Sequence, residues 1–212
     1  MLNGQGEAIV SIKRKGSANL KNTKTLPTRG VHHLALTTED MKLTTEFYVN
    51  VVGMPLVHAM KVPPGVGTGP KNRGNPPYEE VRHYFFDMGN DSLLAFFEMP
   101  KDKKPESDRD AIGGMQHCAF SVTPTQMKDL QERLDIAQVK YDGPVDILPA
   151  LVSIYFMDPN GVRLEACCQP SKGDSPQVIG SVLQTKSEAS KELKTTGASQ
   201  EWLDQMTANL ED

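Results

Sequence analysis

Apolar and polar positions alternate from residue 31 to 38 (Val31-His32-His33-Leu34-Ala35-Leu36-Thr37-Thr38), the period of a strand with one covered face. Thr38, Glu39 and Asp40 then offer helix-capping chemistry. Met41, Leu43, Phe47, Tyr48 and Val51 recur at helical spacing until Gly53 stops the helix. Residues 55–62 and 81–88 read as strands. Gly89-Asn90-Asp91 reads as a hairpin turn and 92–99 as the returning strand. The same order then starts again. A strand over 115–122 leads to a helix after Thr123-Pro124 with Met127, Leu130 and Leu134 on its apolar face. Strands over 139–146 and 150–157 follow, then the turn Asp158-Pro159-Asn160-Gly161 and a last strand over 162–169. Each half is β-α-β-β-β, which predicts an α+β fold of two like modules.

The remaining segments lack this periodicity. Residues 1–29 read as a flexible arm. The stretch 63–79 holds five Pro and four Gly and reads as an ordered loop or a lid, and 100–112 is a charged linker. The tail 170–212 is polar. In it Trp202, Leu203, Met206 and Leu210 fit one face of a short helix, which is expected to dock on the body or on a second subunit. The expected organisation is thus an arm (1–29), a two-module domain (30–169, with modules 30–99 and 113–169 around the linker 100–112) and a tail (170–212).

The two halves carry the same chemistry. His33 stands near the start of one and His117 near the start of the other. Each half ends its last strand on a carboxylate, Glu98 in Phe96-Phe97-Glu98 and Glu165 in Arg163-Leu164-Glu165. His33 to Glu98 spans 65 residues and His117 to Glu165 spans 48; the difference of 17 matches the insertion 63–79. Alternation places His33 with Ala35 and Thr37, opposite Leu34 and Leu36. It places His117 with Ala119 and Ser121, Glu165 with Arg163 and Cys167, Tyr155 with Ser153, and Glu98 with Phe96 and Leu94. Both histidines therefore share a face with a small alanine. Two His and two Glu at matching points of a duplicated unit point to one metal site at the junction: His33, His117, Glu165 and Glu98. His32 faces the helix side. His58 and His83 have no counterpart in the other half and are candidates for substrate contact. Phe96, Tyr155 and Phe85 are the aromatic candidates for an apolar pocket.

Composition narrows the partners. A net charge of −4 gives no basic face for nucleic acid and no polybasic membrane signal. No apolar run approaches the ~20 residues that span a bilayer. Residues 1–30 lack the apolar core of a secretory signal, and three Cys form no disulfide framework, which together suggest a cytoplasmic protein. The Gly-x-Gly-x-Gly string at 65–69 opens no helix, so it is no nucleotide fingerprint. The expected partner is a small molecule.

The motifs His33-Leu-Ala-Leu…Asp40…Phe47-Tyr48…Val52-Gly53-Met54, Gln116-His117-Cys-Ala-Phe and Tyr155-Phe-Met-Asp158-Pro159-Asn-Gly161-Val-Arg-Leu-Glu165 resemble the vicinal oxygen chelate superfamily. That group includes glyoxalase I, methylmalonyl-CoA epimerase, extradiol ring-cleavage dioxygenases, fosfomycin-resistance thiol transferases and bleomycin-resistance proteins. The resemblance covers about residues 31–169. It implies a cup-shaped mixed sheet with helices outside, metal ligation by His33, His117 and Glu165, a variable fourth position at Glu98, and often a homodimer. Tyr155-x-x-Asp158-Pro159-x-Gly161-x-x-x-Glu165 is similar to half of the extradiol dioxygenase signature, in which a Tyr hydrogen-bonds the catecholate. The His expected before that Tyr is absent, since 146–148 are Asp146, Ile147 and Leu148.

The ligand count separates the reactions. Two imidazoles and one carboxylate leave open positions on Fe(II) or Mn(II) for a bidentate substrate and dioxygen, with Tyr155 orienting a substrate oxygen. With Glu98 as fourth ligand and base, the centre is more like the Zn, Ni or Co site of a glyoxalase or epimerase. A metal-free binding protein of the bleomycin-resistance type is the third alternative, and one that needs none of these ligands.

Overall fold

The computed structural model describes residues 28–65, 80–100, 108–148, 150–175 and 177–212. By its contacts the chain divides into Met1–Val31 and His32–Asp212, and every strand and helix described below lies in the second unit. Most of the expected arm (1–27), of the loop 63–79 (66–79) and of the linker 100–112 (101–107) lies outside the described residues.

Strand β1 (His33–Thr38) turns Leu34 and Leu36 toward the core and leaves His33, Ala35 and Thr37 on the other face. Asp40 then caps helix α1 (Met41–Glu46) by accepting the Leu43 N–H at 2.9 Å. The helix expected up to Gly53 changes its winding partway, because Phe47–Val52 is π-helical. Phe47 and Tyr48 are adjacent in sequence, and both are buried with their rings edge-on at 5.3 Å. A π turn has more residues, so it narrows the angle between neighbours and lets both aromatics face the sheet. Gly53 ends the segment at φ 86°, a left-handed cap.

Strands β2 (Leu56–Lys61), β3 (Arg82–Gly89) and β4 (Ser92–Glu98) complete the first sheet in the order β1-β4-β3-β2, with β1 parallel to β4. Asn90 and Asp91 turn the β3–β4 hairpin at φ 53° and 58°. The second module repeats the plan. Strand β5 (Cys118–Val122) leads through helix α2 (Pro124–Ile136) to β6 (Tyr141–Leu148), β7 (Leu151–Met157) and β8 (Arg163–Cys168), in the order β5-β8-β7-β6. Thr123 and Gln126 form a reciprocal capping box at α2, with Pro124 in its first turn.

The helix sides of the two sheets share one core. Tyr48, Phe86, Leu94 and Phe96 from the first module pack in the same cluster as Met127, Leu134, Ile154 and Leu164 from the second. A buried polar latch joins the modules. The Tyr48 hydroxyl donates to Asp158 Oδ2 at 3.0 Å, and Asn160 Nδ2 donates to Thr44 Oγ1 at 3.2 Å.

The tail is richer in helix than its one amphipathic stretch suggests. It holds α3 (Val178–Val182), α4 (Lys186–Leu193) and α5 (Gln200–Met206), with 3₁₀ turns at Pro170–Lys172 and Lys194–Thr196. Of the predicted docking face, Leu203 is buried while Met206 stays half exposed. No described helix is long and apolar enough to cross a membrane.

Candidate active site

The register of the two sheets fixes which residues correspond. In the second module a row runs across the open face from Ala119 to Glu165, Tyr155 and Asp142. In the first module the matching row is Ala35, Ala95, Phe85 and His58. The counterpart of Glu165 is therefore Ala95, not Glu98. Glu98 lies three residues farther along β4, and an odd offset puts it on the opposite, helix-side face. There it accepts the Met41 N–H at 3.1 Å and pairs with Arg82, in a cleft of about 410 Å³ that Asp40, Lys42 and Tyr84 also line. This corrects the expectation that Glu98 completes a four-ligand set. Phe96 is likewise fully buried beneath the helix, and Phe85 and Phe97 occupy the open face in its place.

On the second sheet a chain of polar contacts converges on Glu165. His117 sits just before β5, and its Nε2 lies 2.9 Å from Glu165 Oε2. Ser153, buried on β7, donates to Glu165 Oε1 at 2.5 Å. Gln116 fixes the imidazole from the other side. Its amide nitrogen donates to Asp110 Oδ1 at 3.3 Å, so its amide oxygen is the atom that meets His117 Nδ1. That oxygen can only accept, so Nδ1 carries a hydrogen and Nε2 is the atom turned to a carboxylate oxygen. Two electron-pair donors at 2.9 Å need a shared cation between them, either a proton or a metal ion. Adjacent ligands of an octahedral ion with bonds near 2.1 Å stand about 3 Å apart, which this separation matches.

Tyr155 borders the same pair, its ring edge-on to His117 at 6.1 Å and the Arg163 guanidinium 4.3 Å above it. Burial raises the Tyr155 phenol above its usual pKa, and the Glu165 carboxylate adds to this; Ser153 and Arg163 oppose it. The phenol thus stays protonated through neutral pH and can donate a hydrogen bond. Cys167 follows on the same face beside Ser153.

His33 lies on the open face of the first sheet. Its Nδ1 meets His32 Nδ1 at 2.9 Å, so its own Nε2 is left for another partner. His58 and His83 share this face, grouped with His33 around Phe85. Among the described residues no three His, Cys, Asp or Glu side chains gather as a metal site, so His33 does not join His117 and Glu165 within the chain.

The sequence singled out no role for Ala95, and it showed Gln116 only as part of the His117 motif. A signal for Ala95 exists in the hairpin turns. Glu165 is four residues beyond Gly161, and four residues beyond Asp91 stands Ala95. The role of Gln116 depends on the rotamer that reaches both Asp110 and His117, which a motif does not carry.

Residues 30–166 match the family model described as the Glyoxalase/Bleomycin resistance protein/Dioxygenase superfamily. No curated protein matches the chain. Among solved structures, a glyoxylase/bleomycin resistance protein/dioxygenase domain from Frankia sp. EAN1pec is 21% identical with a TM-score of 0.51, covering 67% of this chain and 98% of its own. The glyoxalase family protein from Enterococcus faecalis is 18% identical with a TM-score of 0.49, covering 66% and 97%. The fosfomycin resistance protein FosX from Listeria monocytogenes is 18% identical with a TM-score of 0.46, covering 66% and 93%.

Proposed function

The chain belongs to the glyoxalase/bleomycin resistance protein/dioxygenase superfamily, and from that premise we propose that it is a divalent-metal enzyme of the extradiol-dioxygenase type acting on a catechol-like small molecule. The observation that carries the reading is the facing of His117 Nε2 and Glu165 Oε2 across 2.9 Å, with each partner's other atom already engaged, Nδ1 by Gln116 and Oε1 by Ser153. Both donors are aimed and held before any ion arrives. With Ala95 at the fourth position, the set is His33, His117 and Glu165, two imidazoles and one carboxylate. This donor set suits Fe(II) or Mn(II), and an ion held by three protein ligands would leave room for substrate and dioxygen. The bound ion would supply charge stabilisation and access to oxygen chemistry.

The protein's own groups do the positioning. Tyr155, kept protonated, donates to a substrate oxygen beside Glu165. Arg163 stacks on the Tyr155 ring and fixes its plane. The glyoxalase- or epimerase-like alternative needs a ligand and base at Glu98, and that carboxylate is turned to Arg82 and the Met41 N–H on the other side of the sheet.

His33 has to come from a second copy of the chain. The sheets are joined through their helix sides in one core, and the second open face exposes Val145, Leu148 and Met157. A homodimer that sets the first open face of one copy against the second open face of the other completes the ligand set and covers this apolar edge.

The test is metal uptake and turnover. The native protein should take up one Mn(II) or Fe(II) per chain. His117→Ala, Glu165→Gln and His33→Ala should each lose it, while Glu98→Gln should keep it. Fe(II)-loaded protein should consume dioxygen with a catechol and give the ring-opened product. Metal loss in Glu98→Gln equal to that in Glu165→Gln would overturn the ligand assignment, and no dioxygen uptake with any of a panel of catechols would overturn the reaction.

A further inference from the structure

The open face of the first sheet carries groups that the metal reading leaves unused. Its outer row runs Thr37, Phe97, His83, Met60, next to the row Ala35, Ala95, Phe85, His58. His83 lies flat on Phe97, with centroids 3.6 Å apart and planes within 3°, and meets Phe85 edge-on at 4.2 Å. Phe85 is in turn touched edge-on by His33 at 6.1 Å and His58 at 5.7 Å. One aromatic ring thus stands among three imidazoles and holds them apart, so they do not chelate.

The hydrogen bonding of His83 defines its chemistry. Its Nδ1 lies 3.1 Å from the Phe96 carbonyl oxygen. A carbonyl only accepts, so Nδ1 carries the hydrogen and Nε2 presents a lone pair. Among the described residues Nε2 has no hydrogen-bond partner, and no fully buried side-chain N or O atom lacks one, so Nε2 is not sealed in and opens onto this face. Burial lowers the His83 pKa, partly offset by the Phe96 carbonyl, and the nearby His33 and His58 lower it further. The ring is therefore neutral at neutral pH, and its free nitrogen is an acceptor held rigidly by stacking.

We infer that His83 Nε2 accepts a hydrogen bond from a hydroxyl of a planar ring that packs against Phe85 on this face. The ligand class is a phenol or an enolised ring, and the site discriminates by the hydroxyl rather than by negative charge. A bound ring covers this neutral acceptor, and one that lacks the donor leaves it desolvated and unpaired, which makes His83 a specificity-determining residue. The inference rests on the catechol reading for the choice of ring and on nothing else in it.

The metal-free full-length protein tests it. Long-range ¹H–¹⁵N spectra should show His83 neutral with its hydrogen on Nδ1, and catechol should shift the Nε2 resonance. Catechol should bind about tenfold tighter than 1,2-dimethoxybenzene, which keeps the ring and loses the donors. His83→Phe keeps a flat ring on Phe97 and should erase that preference while Mn(II) uptake stays as in the native protein. A hydrogen on Nε2, a charged imidazole, equal binding of the two rings, no catechol binding by the native protein, or an unchanged preference in His83→Phe would each overturn the inference. Should the variant fail to fold, the native spectra and the paired titration decide alone. If Mn(II) is not taken up but the preference holds, the metal reading fails and this one stands.

Discussion

Tyr48→Phe isolates the latch between the modules. The Tyr48 side chain is wholly buried, and its hydroxyl gives Asp158 Oδ2 a hydrogen bond of 3.0 Å. Asp158 is also buried. It accepts Asn160 N and Val162 N on Oδ1, both at 2.8 Å, and Asn160 Nδ2 on Oδ2 at 3.0 Å. A hydrogen bond to a charged acceptor contributes about 1.5–3 kcal/mol. Phe fills the same space, and Oδ2 retains its Asn160 donor, so the lower end applies, about 1.5–2 kcal/mol. For a chain of this size each kcal/mol moves Tm by about 2–4 °C, which predicts a fall of roughly 3–8 °C. Burial first, and then Asp158, raises the Tyr48 phenol well above its usual range. The phenol remains the donor as pH rises, so the difference between native and variant should hold across neutral and mildly alkaline solution. Denaturant and thermal melts of native, Tyr48→Phe, Asp158→Asn and the double variant check this, with an expected coupling of about 1 kcal/mol for the pair. A Tyr48→Phe variant within 0.3 kcal/mol of native, or strictly additive losses, would refute the view that this contact holds the modules together.

Ser153→Ala removes the donor that holds Glu165 Oε1 and should weaken Mn(II) binding by about 10-fold or more with little change in Tm, measured by calorimetric titration. Tyr155 has a raised phenol pKa, so the folded state keeps its proton where an unfolded Tyr loses it, from about pH 10 upward. Stability from this group is complete below that point and falls as pH climbs through the folded value; a phenolate absorbance titration should lose one late-titrating Tyr in Tyr155→Phe. Gly53→Ala forces a side chain onto φ 86° and brings Cβ to 2.0 Å from Arg133 Nη1. The guanidinium can swing away, so the backbone conformation sets the cost, about 1–2 kcal/mol by urea melt.

The element order was legible because both strand and helix periods are clean in this chain, and because the pattern occurs twice. Alternation assigned His117, Ser153, Tyr155 and Glu165 each to a face of its own strand, and the pairing of β7 with β8 is what sets Ser153 and Tyr155 beside Glu165. What alternation could not supply was register between strands far apart in sequence. Matching the modules by their final carboxylates paired Glu98 with Glu165, although the hairpin turns place Ala95 there. The π turns after Glu46 were equally hidden, because the apolar spacing of Met41 to Val51 reads as an ordinary helix. The tail carried too few apolar residues to announce three separate helices, of which α4 and α5 start on the caps Thr185 and Ser199 and α3 has no side-chain cap.

The duplication conserves backbone but divides the chemistry. Equivalent positions carry Glu165 against Ala95, Tyr155 against Phe85, and Asp142 against His58. The second face keeps a carboxylate, a phenol and a guanidinium, groups suited to a cation and the oxygens around it. The first keeps stacked aromatic rings and a neutral imidazole, suited to a flat ring with a hydroxyl. A single carboxylate among the proposed ligands leaves an ion with coordination to spare, and a second one at position 95 would fill it. Ala95→Glu is therefore the informative gain-of-ligand change. If the faces meet as proposed, it should tighten Zn(II) binding and abolish dioxygen uptake together; if they do not, it buries an unpaired carboxylate and lowers Tm without touching metal affinity.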